Sequence, residues 1–186
     1  MTPRDAARPK EFLTTTCNLQ HSDVERFLEF WKFYRNVSPS NYVKRAIKRF
    51  NTATVSRDNE DKLVDLAIAF ETLFKTHGYR LSHYVSVLAG RTSSERKDTA
   101  HFMDTAYIAR STVAHGGGLG TYLERKGLVP QEFVQKLQEL TRKCIKISIA
   151  INQASQKHFL ETLHNLSFDE KAQDQLRGSL PNWAFQ

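Results

Sequence analysis

The chain has 186 residues, of which 40% are hydrophobic and 25% are charged, with eight Gly, five Pro and two Cys. This composition excludes a collagen-like, a disulfide-stabilised and a wholly disordered chain, and it is typical of one globular domain. The 27 Lys and Arg against 20 Asp and Glu give a net charge of +7, which favours a polyanionic partner such as nucleic acid or an anionic membrane surface.

The start of the chain shows no clear hydrophobic period, so we predict a flexible lead-in over residues 1–20 and a single helical domain over residues 21–186. Ser22, with Glu25 three residues later, predicts a capping box at the start of a first helix. Pro39 predicts the first residue of a second helix, because its missing N–H costs nothing there.

Three helices are predicted in the middle of the chain. The third runs from Asn59 to His77, the fourth from Tyr79 to Ala89, and the fifth follows a capping box at Thr92. Gly116, Gly117 and Gly118 end the fifth helix. We interpret the glycine-rich segment 116–120 as a flexible loop.

The longest predicted helix follows Pro130 and carries a heptad-like apolar seam: Phe133, Leu137, Leu140, Cys144, Ile147, Ile151 and Ala154. Isoleucines at every second position from Ile145 to Ile151 would suit a strand, but the seam is longer and its flanks are helical. Ser167 precedes a last short helix. The sequence therefore predicts an all-α fold, an antiparallel bundle of about six to seven helices with one long C-terminal helix.

An Arg and a His lie close together at the end of the fifth helix, with Arg110 five residues before His115. Five residues subtend about 140° on an ideal helix, so the two side chains do not share a face. They converge only if the helix frays at His115 or if a second chain brings the two groups together.

Arginine and histidine are a minimal set for metal-free attack of a ribose 2′-hydroxyl on the adjacent phosphodiester. Arg110 offers a planar fork suited to phosphate, and an imidazole gives or takes a proton near neutral pH. The reaction needs one acid and one base, which a two-fold dimer with paired motifs supplies. Spacing alone favours the simpler interpretation, a helix-end histidine that complements the helix dipole.

The segment from Arg110 to Gly116 resembles the Arg-x4-6-His signature of HEPN domains, and its Arg-Ser-x-x-x-His-Gly form resembles the Apea-like branch. About forty residues upstream, an acidic start and an apolar run are similar to a second motif of that branch, and they end in Ala69, Phe70, Glu71, Leu73 and Phe74. The resemblance covers roughly residues 40–155.

The resemblance implies a dimerising helical bundle with a metal-independent endoribonuclease site at its interface, used in toxin–antitoxin, abortive-infection or other RNA-targeting defence. By position, Arg110 and His115 take the catalytic roles, and Glu71 takes that of the helix glutamate, which orients the Arg or only stabilises the fold. Ser111 stands where many ribonuclease members have Asn, Asp or His, and Tyr107 opens the motif segment as a supporting residue. His115 is followed by two glycines where the toxins paired with nucleotidyltransferases have His-x-Tyr.

The second helix carries a basic face without an acidic residue: Lys44, Arg45, Lys48 and Arg49. Such a face suits salt-dependent contact with an RNA backbone; a solvated face, or pairing with the acidic third helix, is the equal alternative. A weaker basic stripe follows along the long helix: Lys136, Arg142, Lys143 and Lys146. The aromatic residues of the first helix predict core or a dimer interface rather than a base-stacking platform: Phe27, Phe30, Trp31, Phe33 and Tyr34.

Other candidate sites are weaker. Arg80 and His83 lie one turn apart and are either structural or part of an RNA groove. His101 and Asp104 have no third metal ligand nearby. The glycine-rich segment lacks the Lys-Ser/Thr of a phosphate-binding loop. We expect no metal and no cofactor.

The sequence also predicts where the protein is located and what it binds. No apolar run reaches the length of a membrane span, and the first residues lack the apolar core of a signal peptide. Cys17 and Cys144 have no metal-like spacing, so we expect inert thiols in a reduced, cytoplasmic protein without membrane contact. The expected partners are RNA, a second copy bound through the motif-bearing face, and a sensor or antitoxin protein. Two alternatives stay open: a non-catalytic module that dimerises or binds RNA, and an adaptor that recognises a protein helix.

Overall fold

The computed structural model describes residues 20–151 and 156–185, and within these ranges the chain forms helices and no strand. Short connections join successive helices, which is typical of an antiparallel bundle. A short 3₁₀ helix, Asn182–Phe185, follows nine α-helices: α1 (His21–Asn36), α2 (Asn41–Val55), α3 (Asn59–Phe74), α4 (Gly78–Ala89), α5 (Ser93–Ala114), α6 (Leu119–Glu124), α7 (Pro130–Ile151), α8 (Gln156–Leu166) and α9 (Glu170–Ser179). The predicted all-α bundle with a long helix near its C-terminal end is confirmed.

The first helix begins slightly earlier than its sequence predicts. Gln20 is the residue before the helix, and the Asp23 carboxylate accepts a hydrogen bond from its backbone N–H at 3.0 Å. The predicted capping box of Ser22 and Glu25 is therefore wrong, because Asp23 caps the first turn instead. Glu25 lies 3.3 Å from His21.

The second helix begins later than predicted. Its first residue is Asn41, two residues after Pro39, and Ser40 is its N-cap. The Ser40 carbonyl accepts the first intrahelical hydrogen bond, from the Lys44 N–H at 3.0 Å. Pro39 lies buried in the preceding turn.

The third helix ends three residues before the predicted end at His77. Lys75 adopts a left-handed backbone with φ +49° and ends the helix at Phe74. His77 is instead the N-cap residue of α4. The difference matters because it moves His77 off the helix and into the corner beside α5.

Two helices were not predicted, which is why the count exceeds six to seven. One is α8; the other, α6, lies in the segment expected to be a flexible loop, with Gly118 as its N-cap and Gly120 inside it. The backbone N–H of Leu119 donates to the Glu60 carboxylate of α3 at 2.8 Å. A carboxylate at this N-terminus satisfies an otherwise unpaired donor and anchors the end of the motif segment to α3.

The core is centred on α3, which contacts α2, α4, α5, α7 and α8. Leu63, Leu66 and Leu73 are fully buried on it, and Phe74 stacks between Phe70 and Phe159 at 6.3 and 5.9 Å. Burying side chains of this size stabilises the fold by about 1.5–3 kcal/mol each. Hence α3 provides a rigid base for Glu71, which lies among these residues.

The long helix α7 packs its predicted seam into the core. Phe133, Leu137, Cys144 and Ile147 are buried, and the isoleucine alternation lies within the helix. Burial raises the pKa of the Cys144 thiol to about 12, so this thiol is inert at neutral pH. Ala154, Cys17 and the predicted lead-in before Gln20 lie outside the described residues.

The corner between α4 and α5 is held by cations from distant helices. Arg177 of α9 donates to the carbonyls of Val87 and Gly90, and Lys143 of α7 donates to that of Ala89 at 2.8 Å. Positive charges at a helix C-terminus satisfy unpaired carbonyls and complement the dipole. This arrangement fixes the start of the motif-bearing helix α5. None of the described helices is long and apolar enough to cross a membrane.

Candidate functional site

The motif-bearing helix α5 places Tyr107 and Arg110 one turn apart, facing the C-terminal end of α3. A groove of about 450 Å³ opens between α5, the end of α3 and the turn into α4. Six residues line it: Glu71, Lys75, Thr76, His77, Tyr107 and Arg110. Glu71 and Tyr107, which were predicted as supporting residues, therefore line the same groove as Arg110.

Arg110 and Glu71 form an ion pair in the wall of this groove. Their closest nitrogen and oxygen lie 3.9 Å apart, with the two side chains 32% and 28% exposed. That distance is too long for a hydrogen bond. The Nε of Arg110 is buried and has no hydrogen-bond partner among the described residues. Glu71 thus balances the charge of the guanidinium and leaves its donors uncommitted.

His115 lies outside the groove, at the exposed C-terminal end of α5. Gly116 has φ +82°, its N–H donates to the Val113 carbonyl at 3.0 Å, and the Gly117 N–H donates to the Thr112 carbonyl at 2.8 Å. These two bonds form a Schellman motif with His115 as the C-cap residue. The helix therefore ends in a regular cap at the histidine and is not frayed there.

Both glycines after His115 are required by this cap. Gly116 takes the left-handed backbone that side chains disfavour. A Cβ added at Gly117 would lie 2.6 Å from the Thr112 methyl group. The sequence His-Gly-Gly thus has a local structural explanation. Ser111 is half-buried in the last turn of α5, and its backbone carbonyl accepts a hydrogen bond from the His115 N–H at 3.1 Å.

Arg110 and His115 are consequently separate within one protomer, as their five-residue spacing predicts. Convergence through a second copy of the chain stays a prediction. Ile108 is an apolar residue on the same helix and is 49% exposed. A single exposed apolar residue is normal on a protein surface, so Ile108 by itself does not indicate an interface.

The histidine that does share the groove with Arg110 is His77, which sequence reasoning did not select. It was missed because the helix was expected to continue to Gly78, whereas the left-handed Lys75 ends it directly after Phe74, its last apolar residue. The one available signal is Gly78, whose φ of +60° permits a sharp turn directly after His77.

The basic face of α2 is exposed at all four predicted positions: Lys44, Arg45, Lys48 and Arg49. Arg49 pairs with Asp65 of α3 at 3.1 Å, so part of the predicted pairing with the acidic helix exists. Because α2 and α3 are antiparallel neighbours, this contact places the N-terminal half of α2 at the level of Glu71. The other three cations point into solvent at that level or close to it.

Arg80 and His83, like the four cations of α2, are predicted RNA contacts that do not line the groove. Arg80 is exposed, whereas His83 is half-buried between Tyr79 and Tyr84. Burial, and secondarily the charge of His164, lower the pKa of His83. The imidazole is held by aromatic packing on α4, away from Arg110.

The weaker basic stripe on α7 does not form one surface. Lys136 lies over the Phe102 ring at 4.7 Å, Arg142 lies over Phe50 at 5.8 Å, and Lys143 caps α4. Among the described residues, no group of three or more His, Cys, Asp or Glu side chains is arranged to hold a metal ion.

With the fold and the groove defined, the chain was compared with protein-family models, with curated proteins and with solved structures, and none of them matches it.

Proposed function

We propose that the protein is a HEPN-type endoribonuclease that acts as a homodimer on RNA in the cytoplasm, in a defence or toxin setting, without a metal. The 2′-hydroxyl oxygen attacks the adjacent phosphorus, and the bond from phosphorus to the 5′ oxygen breaks. One imidazole takes the hydroxyl proton and another protonates the leaving oxygen. The products are a cyclic phosphate and a 5′-hydroxyl end.

The observation that carries this proposal is that the Arg110 guanidinium lines the groove without a hydrogen bond to Glu71. Its guanidinium borders an open groove, its charge is balanced by Glu71 at 3.9 Å, and no hydrogen bond to that carboxylate occupies its donors. A phosphate oxygen entering the groove would meet these donors in a partly desolvated setting, where charge-assisted hydrogen bonds are strongest. Arg110 would hold the scissile phosphate and stabilise its developing charge.

The second copy is needed because the Arg110 groove of one protomer does not contain His115. Dimerisation at the C-terminal end of α5 would bring two copies of this helix end together and place the His115 of each copy at the Arg110 groove of the other. Two imidazoles related by a two-fold axis would then provide the acid and the base.

RNA reaches such a site along the basic face of α2. Lys44, Arg45 and Lys48 are exposed; Lys44 and Arg45 lie at about the height of Glu71 on the neighbouring helix, and Lys48 lies near the height of Asp65. Lysines and arginines in this position contact phosphates and supply affinity that falls with salt, without reading sequence.

A non-catalytic module that dimerises or binds RNA is the second candidate, and one observation favours it. His115 forms a regular helix cap whose glycines are explained by local geometry alone. In that case the motif would be a structural helix end, and RNA would bind without being cleaved.

The deciding assay incubates the protein with labelled single-stranded and structured RNA in excess EDTA. We expect cleavage that leaves a cyclic phosphate, and a loss of about 10²–10⁴-fold for His115→Ala, the range for removal of a proton-transfer group. His21→Ala, a highly exposed histidine on α1, is the matched control and should cleave normally. RNA binding without turnover by the wild type would establish the non-catalytic module.

Subunit mixing tests the dimeric site. If both imidazoles are needed, a tenfold excess of His115→Ala over wild type should reduce the activity per wild-type subunit to roughly a tenth after subunit exchange. Activity that is unaffected by the variant would show that each protomer cleaves alone. In that event His77, which already shares the groove with Arg110, is the histidine to substitute next.

A further inference from the structure

The first helix, α1, lies against the bundle with much of its apolar surface uncovered. None of its residues is buried, and it is held by Phe30 and Phe33, which pack on Trp183 at 5.2 and 5.1 Å. A groove of about 500 Å³ lies between its aromatic side and apolar side chains of α2 and α7. The helix therefore presents a partly uncovered apolar face.

Four large apolar side chains form one stripe along α1, which we name the α1 stripe: Val24, Phe27, Leu28 and Trp31. Each of them is between 39% and 59% exposed. Their spacing of three and four residues confines them to an arc of about 100° on the helix surface. A contiguous exposed stripe of this kind marks an interaction surface, whereas a single exposed apolar residue such as Ile108 does not.

Two opposite charges lie along one edge of the α1 stripe. Glu25 and Lys32 are both exposed and are seven residues apart, so they lie within about 20° of one another around the helix axis. Neither residue lines the groove, which places them on the outer edge of the stripe. Glu25 lies 3.3 Å from His21, but the two side chains are 65% and 89% exposed, so this contact leaves Glu25 open to a second partner.

This order of charges suits a second copy of α1 that runs in the opposite direction. When two antiparallel helices are related by a two-fold axis, each edge of one helix faces the same edge of the other. Glu25 of each copy then faces Lys32 of the other copy, so the contact forms twice. The level midway between Glu25 and Lys32 also lies within about one residue of the middle of the α1 stripe. One two-fold axis therefore pairs the charges and brings the two stripes together.

We propose that α1 is a self-association surface, through which two copies of the chain pair as antiparallel helices. The pair buries the α1 stripe of both copies and places Glu25 beside Lys32 of the partner subunit at both ends. A different protein partner would not require opposite charges spaced evenly about the middle of the stripe. The α1 stripe shares no residue with the Arg110 groove, so this proposal does not depend on the nuclease activity or on pairing at the end of α5.

One helix from each copy makes a small interface. A standard interface takes about 20–30 residues from each side, whereas α1 has 16 residues. We therefore expect weak association of the full chain, with a dissociation constant in the micromolar range. Sedimentation equilibrium at protein concentrations from about 1 to 500 µM covers this range.

Charge reversal tests the pairing directly. Glu25→Lys places two lysines opposite each other at both ends of the pair, and Lys32→Glu places two carboxylates there. Each variant should associate at least about tenfold more weakly than the wild type, because like charges that face each other disfavour association. Glu161→Lys makes the same change of net charge as Glu25→Lys on α8, where the Glu161 side chain is 55% exposed, and should associate as the wild type does.

The two reversed chains should associate with each other. When Glu25→Lys and Lys32→Glu chains are mixed, every facing pair again joins a lysine to a carboxylate, so the mixed pair should form with about the wild-type affinity. A mixture that stays as weak as its components, or single variants that associate as strongly as the wild type, would overturn the proposal. Equal weakening by Glu161→Lys would assign the effect to net charge and would overturn it as well.

Pairing at the end of α5 does not obscure this measurement. If those ends also pair, the wild type forms assemblies larger than a dimer and the single charge variants stop at the dimer. If they do not pair, the wild type forms dimers and the variants stay monomeric. The charge variants lower the mass in both cases, so this proposal and the proposed dimeric nuclease succeed or fail separately.

The apolar part of the interface is tested at the middle of the α1 stripe. Leu28→Gln should weaken the association at least about tenfold, as loss of a central contact does. Val55→Gln is the control, because Val55 is 80% exposed at the end of α2 and lies outside the stripe; it should leave the association unchanged. Equal effects of the two substitutions would mean that the association is not specific to α1. Thermal unfolding of each variant establishes that it is folded.

Discussion

Two grooves of similar volume, about 450 Å³ beside Arg110 and about 500 Å³ beside Trp31, differ in almost everything else. The first is polar and opens between α3 and α5, two central helices. The second is apolar and is closed on one side by α1, which has no buried residue. The first groove holds the Arg110–Glu71 ion pair on buried helices, an arrangement that favours catalysis. The second groove is lined by exposed aromatic side chains of α1, an arrangement that favours binding.

The largest effect is expected from the residue that joins α1 to the bundle. Trp183 is 4% exposed and packs on Phe30 and Phe33 at 5.2 and 5.1 Å. Trp183→Ala should reduce the free energy of unfolding by about 3–5 kcal/mol, the usual range for a buried tryptophan. Urea unfolding measures this change.

The matched control is Trp31→Ala, which removes the same side chain from an exposed position in the same groove. It should cost less than about 1 kcal/mol, because Trp31 is 44% exposed. Equal losses of stability from the two variants would mean that α1 is packed more firmly than its exposure indicates.

The next largest effect is expected on RNA cleavage, from a substitution of Arg110 in the first groove. Arg110→Gln keeps a polar side chain beside Glu71 and removes the guanidinium. If Arg110 stabilises the phosphate in the transition state, cleavage should fall about 10²–10³-fold, the usual range for loss of one electrostatic contact of this kind. Rates of RNA cleavage at saturating enzyme measure it.

Trp31→Ala should leave that cleavage unchanged, because Trp31 does not line the Arg110 groove. Equal losses of cleavage from the two variants would show that the two grooves are coupled through the fold.

The sequence predicts the first groove far better than the second. Periodicity reveals the apolar faces along which α3 and α5 pack. The association of Glu71 with Arg110 came from the family resemblance and not from periodicity. His77 escaped prediction because one left-handed residue, Lys75, ends α3 early.

The aromatic groove escaped prediction for a different reason. Its wall combines α1 with Trp183, far along the chain, and no local pattern indicates which distant segments meet. The exposed aromatic residues of α1 suggested core or interface, and they are in fact only partly covered.

A smaller effect tests the helix cap that positions His115. An added Cβ at Gly117 would lie 2.6 Å from the Thr112 methyl, and the Thr112 hydroxyl is fixed by a 2.9 Å bond to the Ile108 carbonyl. Gly117→Ala should therefore cost about 1–3 kcal/mol, as overpacking usually does. Gly178→Ala, where an added Cβ meets no atom within 4 Å inside α9, should not destabilise the fold.

The smallest effect is expected at the basic face of α2. The Arg49–Asp65 pair spans 3.1 Å, but the Arg49 side chain is 50% exposed, so Arg49→Gln should cost at most about 1 kcal/mol. Its effect on RNA binding should be just as limited, because Asp65 already balances the arginine. Lys44→Gln removes an exposed cation instead and should reduce the slope of log affinity against log salt by about 0.7–0.9. A larger change in slope from Arg49→Gln than from Lys44→Gln would mean that RNA displaces Asp65 and that the ion pair is part of the binding surface.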